Sequence, residues 1–192
     1  MLWNIDVDKM IVNSSKLTAY NRADAMYNEE FWHMPFDEIK ITKLPKITYW
    51  AFKDCPNLTK VDLSEDTALR SIGTEAFRNA TLLDEIHFSS ALKNEDVVIK
   101  TNAFMGTAFK SIGDSESDFD LTAAKFDGSE GYAFANMPKV ESVKVPATFS
   151  GATIPMASFA NDTELVSAEI DYRTTQMDTA AFANDNKLAR IF

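Results

Sequence analysis

The sequence predicts an α/β repeat solenoid, strand-rich, with short parallel strands laddered on one side and turns or single-turn helices opposite. Three observations point there. The dipeptide Ala-Phe recurs along the chain, a short apolar–polar alternation closes the blocks it marks, and Phe is used 14 times against only 6 Gly and 6 Pro. A residue used so often at one place in a block marks a repeat.

Taken in order, residues 1–25 lack the repeat. Ile5-Asp6-Val7 suits a lead-in strand, and Trp3 and Tyr20 suit an N-terminal cap over the first coil. Residues 26–192 carry about seven copies, the last incomplete. The first copy is one residue short: Met26, Phe31, Phe36, then Ile39-Lys40-Ile41. Ala51-Phe52, Ala76-Phe77, Ala103-Phe104, Ala133-Phe134 and Ala181-Phe182 mark five more, and Ser158-Phe159 the remaining one. Successive Phe positions from Phe31 lie 21, 25, 27, 30, 25 and 23 residues apart.

Other positions recur with the Phe. Five residues before it stands Ile47, Ile72, Ile99, Ile154 or Met177; two after it, Asp54, Asn79, Gly106, Asn136, Asn161 or Asn184; six after it, Leu58, Leu83, Val140, Leu165 or Leu188. The blocks then end in Val61-Asp62-Leu63, Ile86-His87-Phe88, Val143-Lys144-Val145, Ala168-Glu169-Ile170 and Ile191-Phe192.

Each alternating run is a strand with its first and third side chains inward and the middle one outward. One such strand cannot bury its apolar face alone, so copies stack into a parallel ladder over a shared core. The Phe residues should superpose as an aromatic spine, each ring burying roughly 150–250 Å². The Ala before each Phe is small because two coils pass closely there. The Asn two residues after it suits a tight turn.

The pattern I-x-x-x-A-F-x-N-x-x-x-L-x-x-V-x-[LIV] over residues 26–192 resembles the BspA-like leucine-rich repeat family, which includes treponemal surface proteins. The resemblance implies a right-handed solenoid, an extracellular or cell-surface location, and adhesion to proteins of a host, a neighbouring cell or the extracellular matrix. The sequence departs from the pattern in residues 1–25, in the stretched segment 105–131, and at Ile191-Phe192, where it stops inside a copy. An uncapped solenoid end suits a fragment of a longer protein.

Composition excludes several classes. A net charge of −10 lacks the Lys/Arg density that nucleic acid or an anionic membrane requires. The segment MLWNIDVDKM carries Asp6 and Asp8 and is no signal peptide, so a secreted form would have had its leader trimmed. No apolar run of about 18 residues is present for membrane insertion. The one cysteine, Cys55, cannot form an intramolecular disulfide; its turn position suits buried packing.

No catalytic, cofactor or metal constellation is legible. His33 and His87 lie in different copies, His87 at an outward strand position, and a nucleophile needs a base beside it. The run Asp114-Ser115-Glu116-Ser117-Asp118-Phe119-Asp120 has alternate oxygen ligands, but Phe119 and Lys125 stand where an EF-hand loop needs Gly and Glu. It reads as a solvated loop over Gly113 to Asp118, with strand alternation resuming at Phe119-Asp120-Leu121. The glycosylation triplets at Asn57, Asn79 and Asn161 fall out of the repeat itself; a fourth begins at Asn13.

The outward strand face is the remaining candidate. Its central column reads Lys40, Asp62, His87, Lys144 and Glu169; a flanking column reads Glu38, Lys60, Glu85, Ser142, Ser167 and Arg190. With strands about 4.8 Å apart, Lys40–Asp62, Lys60–Glu85 and Lys144–Glu169 are placed to pair across rungs. The expected binding residues are Lys40, Lys60, Asp62, Glu85, His87, Lys144 and Glu169, taking a protein partner. The function expected is a non-catalytic protein-binding or adhesion module. A structural spacer that projects another domain is one alternative. A glycan-recognition accessory is another; it calls for clustered exposed Trp or Tyr, and Trp3, Trp32 and Trp50 fall in different columns.

Overall fold

A computed structural model describes residues 9–13, 16–21, 28–92, 97–113, 116–121, 124–126, 131–145 and 153–191. The lead-in strand at Ile5-Asp6-Val7, with Trp3, Met26 and Phe192, lies outside them. The chain stacks as a β-solenoid. Strands β1 (Lys9–Asn13) and β2 (Lys16–Asn21) pair antiparallel; β3 (Glu38–Lys43), β5 (Lys60–Leu63) and β7 (Glu85–Phe88) then add in parallel. The ladder continues in a second sheet ordered β10 (Phe119–Asp120), β9 (Ser111–Gly113), β12 (Ser142–Val145), β14 (Ser167–Ile170), β16 (Arg190–Ile191). Inward Ile39, Ile41, Val61, Leu63, Val143 and Val145 are buried, as the alternation requires.

The residues five before each Phe build a second parallel ladder. It comprises β4 (Lys46–Ile47), β6 (Ser71–Ile72), β8 (Val97–Ile99) and β11 (Ala124–Phe126), with β13 (Thr153–Ile154) and β15 (Gln176–Met177) as a separate pair. Ile47, Ile72, Ile99 and Ile154 are buried in it. The copy of Phe134, which has no apolar residue at that position, places Phe126 opposite Ile99 instead.

Between the ladders the chain arches over each Phe by one backbone rule. The residues two before and two after the Phe have positive φ, as at Trp50 (57°) and Asp54 (54°) around Phe52 and at Ala157 (51°) and Asn161 (64°) around Phe159. The N–H groups of Ala51 and Lys53 donate three residues back, to Thr48 and Trp50. Those of Trp50, Phe52 and Asp54 donate forward, to Thr74, Ala76 and Arg78 of the next coil. Three such forward bonds, of 2.8–3.4 Å, join every successive pair of arches from Phe31 to Phe182. A left-handed residue at every fourth place breaks the run of right-handed φ that a helical turn needs, and alternate N–H groups leave the coil. The described residues therefore carry no helix: the single-turn helices and the α/β class expected from sequence give way to an all-β solenoid with turns.

The aromatic spine forms. Phe31, Phe52, Phe77, Phe104, Phe134, Phe159 and Phe182 stack with centroids 5.2–5.8 Å apart and planes within 14°. The first six are fully buried. Phe182 stacks on one face only and is half-buried, and Met177 and Ile191, inward by pattern, are exposed. No coil lies over them among the described residues.

Coil spacing is set by close approach. The carbonyl of each small residue before a Phe accepts the N–H of the preceding Phe, as Ala76 does from Phe52. At Gly131 an added Cβ would meet the Met156 carbonyl oxygen at 1.8 Å, so only glycine fits.

The irregular copy differs from expectation. Phe119 and Leu121 are buried, as predicted. The strand that continues the ladder to β12, however, is β9, with Ile112 opposite Val143. Gly113 belongs to β9 and is buried, rather than starting a solvated loop. Phe119-Asp120 forms an inserted strand on the far side of β9, Phe119 opposite Ile112. The cause is packing: Phe119 makes edge contacts with Phe104, Phe109 and Phe134 at 4.7–5.3 Å, which draws the segment back onto the core. Asp114 and Ser115 of the acidic run lie outside the described residues.

Candidate functional site

The outward face follows from strand register. Glu38, Lys60 and Glu85 stand on successive rungs, as do Lys40, Asp62 and His87; Lys144 stands opposite Glu169. Lys40 Nζ lies 3.8 Å from Asp62 and 2.6 Å from Glu65, Lys60 pairs with Glu85, and Lys144 lies 3.8 Å from Glu169. The His87 imidazole contacts the same Glu85 carboxylate. All three cross-rung pairs suggested by the column order are thus adjacent.

These contacts fix the charge of the face. The hydrogen bond to Glu65 raises Lys40 above the usual lysine value, and that to Glu85 does the same for Lys60. Hydrogen bonds from Lys60 and then His87 hold the Glu85 carboxyl below the ordinary range. Partial burial would raise Asp62, but hydrogen bonds from Ser64 and the Lys40 charge outweigh it and its carboxyl stays low. The result is that opposite charges stand on neighbouring rungs along β3, β5 and β7.

The ladder is interrupted once. The inserted strand β10 faces β7 without joining its sheet, and a cleft of about 310 Å³ opens there. Glu85, His87, Phe88, Glu116, Asp118 and Asp120 are among its lining residues. The Asp118 carboxylate accepts the Lys110 and Ser111 N–H groups, which holds the acidic segment down onto the strand.

Of the groups with nucleophilic or acid–base character, Cys55 is buried, its thiol pushed up to about 12 by burial, and it donates to the Phe31 carbonyl at 3.2 Å. His33 contacts Asp54 at 3.9 Å, one coil from Cys55's own and far in sequence from His87. Among the described residues no group of three or more His, Cys, Asp or Glu is placed to hold a metal ion. No helix of the described residues is long and apolar enough to cross a membrane.

Column order missed one cluster. Trp32 and Trp50 fall at different repeat positions, yet their rings lie 5.7 Å apart, with His33 against Trp32 at 4.5 Å and Tyr49 against Trp50 at 4.6 Å. The arch folds its two flanks toward each other, so different columns of adjacent coils meet. Comparing flanking columns between neighbouring copies would have found it.

The leucine-rich repeat region of BspA type matches residues 11–130 and 97–192, with six copies. The chain belongs to the BspA-type leucine-rich repeat family. Solved structures agree on the fold. A leucine-rich repeat protein from Bacteroides ovatus superposes with a TM-score of 0.71 at 19% identity, over 99% of this chain and 52% of that one. The chain therefore spans about half the length of that protein. The leucine-rich repeat protein of T. pallidum superposes with a TM-score of 0.66 at 16% identity, over 95% of this chain and 78% of that one. No curated protein matches the sequence.

Proposed function

We propose that this BspA-type solenoid is a non-catalytic protein-binding module that works in adhesion at a cell surface or outside the cell. Its binding surface is the outward strand face, with Lys40, Lys60, Asp62, Glu85, His87, Lys144 and Glu169 as contact residues, and residues 1–25 cap the first coil. One observation carries this reading: on β3, β5 and β7, and again on β12 and β14, opposite charges stand in register on neighbouring rungs. Exposed pairs of this kind contribute only about 0–1 kcal/mol each, so a partner can exchange them for its own contacts at small cost. The cleft between β7 and β10 adds a concave point on an otherwise flat surface. The location and the class of partner follow from the family resemblance.

Surface plasmon resonance against an immobilised extracellular-matrix protein preparation tests the reading. Wild type should bind, and the double variant Lys60→Glu/Lys144→Glu should lose at least about tenfold in affinity with its melting temperature unchanged. No binding by wild type, or equal binding by the variant, overturns it. The continuous Phe spine favours a second reading, a rigid spacer; surface display of a fused reporter that needs the coils but not the strand-face charges would support it.

A further inference from the structure

The aromatic cluster on the first two arches lies away from the strand face and has no part in the reading above. His33, Trp32, Trp50 and Tyr49 form one row, each ring against the next at 4.5–5.7 Å. Trp32 and Tyr49 are 39% and 38% exposed. Rings of this size are costly to leave in water, since each carries a large apolar surface.

We propose that this row is a carbohydrate-binding platform for a neutral polysaccharide, whose pyranose rings lie on Trp32 and Tyr49. Three features of the patch select that ligand. The first is its chemistry: the exposed large apolar residues here are aromatic, and the exposed aliphatic ones, Leu82, Val166 and Ile191 among them, lie on other coils. A sugar ring offers a C–H face to an aromatic plane and a rim of hydroxyls to polar neighbours, whereas a protein hot spot mixes aromatic anchors into an apolar pocket.

The second feature is charge. The chain carries −10 overall, and the cations near these rings are each taken up by a carboxylate. Lys53 sits 3.7 Å over the Trp50 ring and is held by Glu75 at 2.7 Å, and Glu75 also takes Arg78 at 2.9 Å. Asp54 accepts from Trp32 Nε1 at 3.1 Å and from the Asn79 amide at 2.9 Å. The ion-paired groups against the rings thus balance, and Glu29 and Glu30 on the arch of Trp32 add only negative charge. The patch offers no net positive charge to an anion, which matches a neutral ligand, and Asp54, Asn79 and His33 stand at its edge as hydrogen-bonding partners for hydroxyls.

The third is rigidity. His33 and Trp50 each occupy one left-handed position of their arch, at φ 58° and 57°, and their N–H groups are tied to the following coil. A bulky residue in that conformation is strained relative to glycine. The arches of Phe159 and Phe182 place Ala at the position of Trp50, so the backbone does not require the ring there. A fixed platform loses little entropy when a polymer settles on it.

Affinity electrophoresis of the full chain through gels containing dextran, laminarin, mannan or hydroxyethylcellulose decides the question, with tryptophan emission followed alongside. At least one polymer should retard wild type and shift its emission to shorter wavelength. Trp32→Ala and Tyr49→Ala should each abolish the retardation while leaving the melting temperature within a few degrees of wild type. The strand-face variant Lys60→Glu/Lys144→Glu should migrate as wild type, which separates this platform from the protein-binding face. Absence of retardation on all four polymers overturns the proposal, as does retardation that survives both substitutions. Loss of matrix-protein binding in Trp32→Ala, without any polysaccharide binding in wild type, would instead assign the row to a protein partner.

Discussion

The arches of the N-terminal coils and those of the C-terminal coils share one backbone and almost no surface. Around Phe31, Phe52 and Phe77 the flanks carry Trp32, Trp50, Lys53, Glu75 and Arg78; around Phe134, Phe159 and Phe182 they carry Ala135, Ala157, Ala160, Ala180 and Ala183, with Tyr132 the one large side chain at the position of Trp50. The positive φ values, the forward hydrogen bonds and the stacked rings are the same in both. The arch is therefore built by backbone and spine alone, and the outer side chains of the N-terminal half are available for recognition.

Buried carboxylates sharpen the contrast. In the N-terminal half Asp66 accepts N–H groups from Leu44, Ala68 and Leu69. In the C-terminal half Asp162 accepts one, from Met137, and Asp185 one from Asp162 among the bonds through their Oδ1 atoms, while both Oδ2 atoms are buried without a partner. Burial raises all three, but it pushes Asp162 up to about 9, where there is one N–H donor and the Asp185 charge adds to the rise, and Asp185 to about 6, where backbone N–H groups offset burial only in part.

The largest effect should come from the spine that both halves share. Phe104→Ala should lose roughly 3–5 kcal/mol, and Phe182→Ala, already half-exposed, clearly less. Denaturant midpoints measure both; equal losses would mean that the end ring is as enclosed as the middle one.

The carboxylates should give the next effect, and it depends on pH. Asp162 has a folded pKa above its unfolded value of about 3.9, so the folded state binds the proton more tightly. Its stability contribution is complete below about pH 4 and is lost as pH rises through about 9, with Asp185 adding to the fall up to about 6. Asp162→Asn keeps the acceptor for Met137 and cannot ionise. Its denaturant midpoint should exceed that of wild type by more at pH 8.5 than at pH 5. A difference independent of pH would show that Asp162 is not protonated in the fold.

The smallest effect belongs to the strand face. Lys144→Ala should cost under about 0.5 kcal/mol, read from the same denaturant titrations. A loss near that of Phe104→Ala would place Lys144 inside the core.

Much of this was legible in the chain itself, and for a physical reason. A stacked repeat superposes equivalent positions, so the Phe column, the inward strand residues and the cross-rung pairs Lys40–Asp62 and Lys60–Glu85 follow from alignment alone. What alignment cannot supply is contact between non-equivalent positions. Trp32 against Trp50 was hidden for that reason, as was the contact of Phe119 with Phe104, although the inward turn of Phe119 was legible. The second ladder through Ile47 and Ile72 was missed because two-residue strands show no alternation. The left-handed position before each Phe was masked by its occupants, since Trp, Glu, Tyr and Ala give no local sign of positive φ.

The forward hydrogen bonds of the arches have a consequence for the molecule as a whole. In the strand ladders, N–H groups point toward both neighbours and their dipoles largely cancel. In the arches the three bonds at each of six junctions all point the same way, with the N–H of one coil directed at the carbonyl of the next. Each peptide unit contributes about 3.5 D, and aligned units add. The arch side of the solenoid thus carries a column of dipoles positive toward higher residue numbers, the reverse of an α-helix, and bonds at the arch margins such as Gly73 N–H to Ile47 and Lys100 N–H to Ile72 run against it. Two arch sides laid together are electrically favoured antiparallel.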